Sequence, residues 1–342
     1  MSDPTFDFGT LSYLTQVRRL RGLAVAALAK YDVAYSRLTL VNHGENTTYR
    51  VDGEASDRYL LRIHRPRYQT DTGIVEEMEW LNALHSDTDL IVPNPVQNRA
   101  GTYLSKASAP GIPETRNCVL FEWIDMRFRC KSLGSKALRN VATATAKLQI
   151  HAVAYQTTPL KGRLTWDTEG LIGKTAHWGN IATVPGFEDS DRALVIEARD
   201  QAARELMKAE ARSGTMGLIH ADLHDGNYGF KGHDVAFIDF DDCGAGFWLY
   251  DTAVTLAALR TLPRFKHLRD AYLNSYAKRR PFGPSEAGLL DTLIFARFIC
   301  TCAWVHSRSD NPDIAAHAEA TRTRLLEATK RYLETGDPLP SL

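Results

Sequence analysis

Apolar and polar positions along the chain follow two rhythms, one helical and one alternating. Residues from about 10 to 30 read as a helix that ends near Lys30-Tyr31-Asp32. The texture then changes. RLTLVNHGENTTYRVDGEASDRYLLRIHR holds two β-rich runs, Thr39 to Val51 and Arg58 to His64, with Gly53 and its polar neighbours as the turn between them. GIVEEMEWLNALH returns to helical spacing, with Ile74, Met78, Leu81 and Leu84 in register. Pro93 and Pro95 end the helical pattern, a short strand is expected near Thr102 to Leu104, and NCVLFEWI (Asn117 to Ile124) reads as a buried strand.

After about residue 125 the helical rhythm dominates. Leu138, Val141, Thr145, Leu148 and Ala152 line one face of a long helix, and a second helix is expected from Leu194 to Arg212. MGLI then leads into a polar loop, and NYGF and VAFI flank a tight turn at Lys231 to Asp234. From Tyr250 to the end the pattern is mostly helical, apart from a break at residues 281–284. These patterns predict an α+β protein of two lobes. Residues 1–124 form an N-terminal helix and a small antiparallel β lobe with helices, and residues 125–342 form a larger, mostly helical lobe. A linker near residues 123–130 separates them. No fixed-period repeat stands out.

A length of 342 residues fits about two units. Lys+Arg and Asp+Glu both number 41, so the net charge is zero. That argues against a nucleic-acid partner, and mildly against a pocket for a strongly cationic ligand. The five cysteines are odd in number and lack a C-x-x-C pair, as expected for free thiols in a reducing cytosol. The N-terminus lacks a signal-peptide core, and LAVAALA (Leu23 to Ala29) is far short of the ~20 residues of a membrane span. A cytoplasmic protein with no membrane partner is the expectation.

The stretch IHADLHDGN, Ile219 to Asn227, concentrates the chemistry. His220, Asp222, His224 and Asp225 resemble the start of a metal-hydrolase cluster. Such clusters recruit further histidines, and the next ones, His233 and His267, lack ligand context. The alternative is phosphoryl transfer. Asn227 follows Asp222 by five residues and Asp239 follows it by 17, at the end of the apolar run Val235 to Ile238. An aspartate that accepts or orients a hydroxyl proton, and an Asn/Asp pair that holds Mg2+ on phosphates, are the parts that reaction needs. Mg2+ prefers such oxygen ligands. A hairpin between the two halves would bring Asn227 and Asp239 to one end.

HADLHDGN, FIDFDDCGAG and LYDTA resemble the signature of the aminoglycoside phosphotransferase and choline kinase superfamily, the small-molecule branch of the protein-kinase-like fold. In motif they look closest to its homoserine-kinase-like and stress-response-kinase-like members. The resemblance spans roughly Leu38 to Leu256. It implies Asp222 as catalytic base, Asn227 and Asp239 as Mg2+ ligands, and His220 as a structural member of the loop. It implies that a buried Asp251 holds that loop through backbone hydrogen bonds. Asp241 and Asp242 have no fixed role: they join the metal's outer shell or are simply solvated, with the outer shell favoured for Asp241, which is also a substrate-side candidate.

The resemblance further implies that the small lobe binds ATP. Arg62 stands where kinases usually carry a lysine that touches the phosphates, and Glu77 is its expected partner, with Glu76 and Glu79 as neighbours. The phosphate-covering loop would be HGENTTY, with backbone from Gly44, Glu45, Asn46 and Thr47 facing phosphate oxygens. Backbone groups of Glu122 and Ile124 are candidates for adenine. GLIGKT, Gly170 to Thr175, mimics a P-loop but carries Thr168 where the first glycine belongs, so it reads as a loop of the substrate-side insert.

The phosphate acceptor is written less clearly. Candidate lining residues are Trp178, Asp241, Tyr250, Arg297, Trp304 and His306. Arg297 lies in an apolar helix and needs either an acidic partner in the protein or an anionic group on the substrate. The leading expectation is transfer from ATP, with Mg2+, to a hydroxyl of a small amino alcohol or amino acid. The alternatives are a Ser/Thr protein kinase of the stress-response type, an antibiotic-modifying phosphotransferase, and a non-catalytic pseudokinase. Neutral net charge gives no support to a polycationic antibiotic. Intact Asp222, Asn227 and Asp239 argue against a pseudokinase.

Overall fold

The computed structural model describes residues 8–54, 56–129, 133–155 and 160–339. The chain divides into two compact units. One is Met1–Asp125 together with Leu160–Arg163, and the other is Met126–Pro159 together with Leu164–Leu342.

In the first unit, helix α1 (Tyr13–Leu28) is followed by a sheet. The β-rich run from Thr39 to Val51 folds back on itself, because Gly44 N–H bonds the Asn46 carbonyl at 3.1 Å. The run therefore contributes to two strands, β1 (Tyr35–His43) and β2 (Thr47–Gly53), and β3 (Arg58–Ile63) follows. Helix α2 (Asp71–Asp87) starts at Thr70, whose side chain accepts from Gly73 N. Strands β4 (Pro95–Val96), β5 (Ser105–Ala107) and β6 (Arg116–Glu122) complete a six-stranded antiparallel sheet in the order β1-β2-β3-β6-β4, with β5 also on β6.

Strand β5 begins just after the expected Thr102–Leu104. The Asn98 side chain accepts from Ala100 N and Thr102 N and donates to the Leu104 carbonyl, which holds that segment as a turn. Leu23, Ala24 and Ala27 of α1 share one core with Tyr49, Val51, Leu61 and Ile63 of the sheet.

The second unit opens with α3 (Ser135–Tyr155), β7 (Thr165–Trp166) and a helical turn, α4 (Thr168–Ile172). The GLIGKT segment is thus part helix rather than all loop. Asp167 caps it through Gly170 N, and Glu169 accepts from the backbone and hydroxyl of Thr175, so the segment satisfies itself locally.

Helix α5 (Asp189–Glu210) starts earlier than the apolar pattern indicates, with Asp189 and Asp191 in its first turn against the positive end of the helix dipole. Strands β8 (Met216–Ile219), β9 (Tyr228–Lys231), β10 (Asp234–Phe237) and β11 (Gly244–Phe247) follow, then α6 (Tyr250–Leu259), α7 (Phe265–Ala277), α8 (Pro284–Ser307), α9 (Pro312–Ala315) and α10 (Ala318–Thr335). β9 and β10 form an antiparallel hairpin, and β11 lies between β7 and β8. α3 packs on α7, and α8 packs on α6, α5 and α10. Residues Glu286–Ser307 have the length and apolarity of a membrane span, but 67% of that window is buried inside the protein, as in a core helix.

Gly244, in the FIDFDDCGAG motif, shows why a glycine is needed there. A Cβ at this position would lie 2.1 Å from the backbone carbonyl oxygen of Leu164, which leads into β7. Backbone cannot rotate away as a side chain can. Gly244→Ala should therefore cost about 3 kcal/mol, at the upper end of ordinary overpacking. Urea unfolding would show it as a lower midpoint, and an unchanged midpoint would mean that the β7–β11 contact yields easily.

Candidate active site

The second half of β8, Leu218 and Ile219, is buried, and the chain leaves it at His220 directly into the dense stretch. Asp251, in the first turn of α6 and wholly buried, accepts from His220 N (3.2 Å) and Ala221 N (2.8 Å). Gln149 of α3 donates to the same carboxylate (3.2 Å) and to the Trp248 carbonyl (2.7 Å), and its own oxygen accepts from Tyr276 of α7. Burial pushes the Asp251 carboxyl up, opposed by His220 and these donors.

The bracing has a purpose visible in the backbone. Ala221 has φ +69°, a conformation that costs a non-glycine residue of order 1–3 kcal/mol unless its surroundings hold it. His220 bonds the Ile238 carbonyl through Nε2 (2.9 Å) and accepts Asp222 N at Nδ1 (3.3 Å), which fixes a neutral tautomer. Burial lowers its pKa, in keeping with that neutral form.

The turn presents Asp222 to three partners. Asn227 Nδ2 donates to its carbonyl (2.9 Å) and carboxylate (3.0 Å), Arg297 Nη2 donates to Oδ1 (2.7 Å), and His224 Nε2 lies 3.5 Å from Oδ2. Burial pushes the Asp222 carboxyl up, but His224 and Arg297 outweigh it and hold the group well below the usual carboxylate range. The needed partner of Arg297 is thus an acidic residue of this chain. The Arg297 guanidinium also lies 4.8 Å above the Trp178 ring.

His224 as a neighbour of Asp222 was legible only as a member of the hydrolase reading. Among the described residues no group of three or more His, Cys, Asp and Glu side chains is arranged to hold a metal. The hairpin brings Asn227 and Asp239 to one end, where Tyr228 pairs with Phe237 and Ile238 N bonds the Asn227 carbonyl (2.9 Å). Asn227 is buried, with Nδ2 turned toward Asp222. Asp239 is exposed in a left-handed conformation, φ +62°. The pair offers an amide oxygen and a carboxylate, a donor set that fits a hard divalent cation completed by water. Asp241 is buried in the 3-10 turn Phe240–Asp242, and the Asp242 carbonyl accepts from Trp166.

The first unit carries its own buried charge cluster. Arg62 of β3 donates to Glu77 of α2 at 2.6 Å, with side chains 4% and 0% exposed. Arg163 of the returning segment lies 3.7 Å from the other carboxylate oxygen of Glu77. No sequence signal marked Arg163. Glu76 accepts from Lys161 N (2.7 Å) and Gly162 N (3.0 Å), so the two adjacent glutamates divide the work.

At the turn between β1 and β2, Glu45 pairs with Arg65, Asn46 accepts from Arg65 N, and Thr47 bonds His43. The Glu122 amide is committed to the Asn94 carbonyl (2.9 Å), which removes it as a donor to adenine. Ile124 lies past the end of β6, outside its pairing.

The APH phosphotransferase enzyme family matches residues 37–290. This chain belongs to that family. A solved structure of a microcompartment-associated aminopropanol kinase is similar over 93% of this chain and 98% of its own, with TM-score 0.80 and 31% identity. Homoserine kinase of Pseudomonas aeruginosa is 27% identical over 294 residues, 83% of this chain and 85% of that one. An amicoumacin kinase solved with AMP-PNP, Ca2+ and Ami has the same fold, with TM-score 0.75 and 18% identity over 96% of this chain and 98% of that one. The chain is a kinase, with the α+β fold of these structures.

In this phosphotransferase three of the substrate-side candidates cluster, with Arg297 over the Trp178 ring and beside Tyr250. Trp178 is nearly buried, edge-on to Trp166, and Tyr250 is wholly buried beside Trp166. Trp304 is only half-buried, two turns along α8 from Arg297. Asp251→Asn should place an amide N–H against one of the two backbone donors. The cost is about 2–3 kcal/mol for the unmet groups, together with a fall in turnover. A thermal melt within a degree of wild type would show that Asp251 does not brace the turn.

Proposed function

We propose that this phosphotransferase moves the γ-phosphate of ATP onto a hydroxyl of a small metabolite, with Asp222 facing that hydroxyl. The observation that carries this reading is the carboxylate of Asp222, held by Asn227 and Arg297 in the loop that follows β8. With its pKa held low, Asp222 is a weak base. Its service is to accept a hydrogen bond from the hydroxyl and aim the oxygen, which suits a loose phosphoryl-transfer transition state that asks for positioning more than for early proton removal.

Asn227 and Asp239 would hold a divalent cation, Mg2+ in our reading, which when bound neutralises phosphate charge and orients it. His220 and Asp251 support the loop without touching substrate. In the first unit, Arg62, kept in place by Glu77, supplies a fixed positive charge for phosphate oxygens. The Gly44–Thr47 turn is assigned to the phosphates and Ile124 to the base. The amicoumacin kinase complex, which holds AMP-PNP and Ca2+, supports nucleotide and divalent-ion use on this fold. The aminopropanol and homoserine kinases support a small acceptor.

Asp222→Asn should lower kcat by 100-fold or more while leaving the KM for Mg·ATP within about threefold, in line with the usual worth of such a group. Incubation with γ-labelled ATP and a cell extract split into metabolite and protein fractions would read both points. Label moving at near wild-type rate in the variant would overturn the role of Asp222. Label on polypeptides alone would shift the acceptor to protein.

A further inference from the structure

A small cavity in the second unit carries a charge pattern that the phosphotransfer residues leave unused. It encloses about 150 Å3 and is lined by His224, Arg260, Arg297, Thr301, Thr321 and Arg324, over apolar groups that include Phe298. It adjoins Asp222, because two of its lining residues, His224 and Arg297, touch that carboxylate. Arg260, at the end of α6, and Arg324, on α10, also line it.

These two arginines are the unusual feature. No carboxylate lines the cavity, and among the described residues neither Arg260 nor Arg324 has an ion-pair partner. Burial, and next to it the like charge of Arg324, push Arg260 down to about 10. Arg260 is held in place even so, stacked 5.3 Å over Phe298 and donating to the Ala257 carbonyl. A wider groove next to the cavity shares both arginines and includes Glu319 and Glu327, which form no ion pair with either. A protein of zero net charge therefore gathers three guanidiniums around a small volume. Only one of them, Arg297, is neutralised, and its partner is Asp222.

We infer that this cavity is an anion subsite for the phosphate acceptor, and that the acceptor is a short hydroxy acid with its carboxylate on Arg260 and Arg324 and its hydroxyl at Asp222. The placement of the hydroxyl rests on the phosphotransfer reading; the anion site does not. The volume is below the ~300–1,000 Å3 of pockets for drug-sized ligands, so only the carboxylate end of the acceptor and a carbon or two enter it, while the hydroxyl reaches past Arg297 to Asp222. A guanidinium pair is matched to a carboxylate in charge and in hydrogen-bond geometry. The same pair repels an ammonium group, so a simple amino alcohol such as aminopropanol is disfavoured as substrate. An amino acid is compatible, with its ammonium directed away from the arginines.

The test is calorimetric binding at constant ionic strength, on the whole chain, with three three-carbon probes: sodium glycerate, neutral glyceramide and cationic 1-amino-2-propanol. L-Homoserine serves as a longer carboxylate probe. Wild type should bind glycerate or L-homoserine at least tenfold more tightly than either of the other two probes. R260Q/R324Q should lose at least tenfold of that affinity, and R324Q alone, at a half-buried position, should lose part of it should the double variant fold poorly.

Equal binding of acid and amide would overturn the subsite, as would preference for the amine or unchanged acid binding in R324Q. The two readings can fail separately. Acids that bind as expected but never receive label from ATP would leave the subsite standing and remove the placement of their hydroxyl at Asp222. Transfer to 1-amino-2-propanol, indifferent to R324Q, would do the reverse.

Discussion

A buried carboxylate sets the course of the chain through the site. Asp251 lies at the start of α6, where it meets the two backbone amides that β8 delivers as it ends. Without that acceptor, His220 and Ala221 would bury unpaired N–H groups, and Ala221 would have no reason to stay in the left-handed region. One turn further along α6, Thr255 donates to the Leu223 carbonyl (2.7 Å), so a single helix holds the loop on both sides of Asp222. Gln149 and Tyr276 then tie α3 and α7 to the same point. The position of Asp222 is inherited from this frame rather than set by its own contacts.

Each unit also buries a charge cluster in which cations outnumber carboxylates. Arg62 and Arg163 share Glu77. Arg297 and His224 share Asp222, with Arg260 and Arg324 close by. Removing one partner from such a cluster strands a charge in a poorly solvated place, which makes these groups sensitive to substitution even where they touch no ligand. An excess of fixed positive charge in both units is the arrangement expected of a protein whose proposed substrates are polyanions and acids.

Legibility in the sequence tracked the reach of each signal. Local periodicity carried the α+β class, α2, α3 and the β9–β10 hairpin, because each is decided by residues within one or two turns of each other. That one end of this hairpin carries both Asn227 and Asp239 was legible for the same reason. Side-chain bonding of short range misled the pattern. Asn98 turned an expected strand into a loop and moved β5 along, and Gly44 split one β run between two strands. Contacts of long range were silent. Arg297 declared that it needed a partner but not that the partner was Asp222, 75 residues away. Glu122 gave no hint that its amide belongs to Asn94.

The returning segment Leu160–Arg163 means that the first unit is not a continuous stretch of chain. Gly73 and Gly162 allow it to approach the start of α2 so closely that a Cβ at either would overlap the other's backbone. On the ribosome, the N-terminal part of this unit emerges before the residues that complete it, a delay of a few seconds at usual rates of synthesis. Until then Glu77 lacks Arg163 and Glu76 lacks the two amides it caps. The nascent N-terminal unit must therefore wait, partly finished, for a piece of chain that is made only after α3.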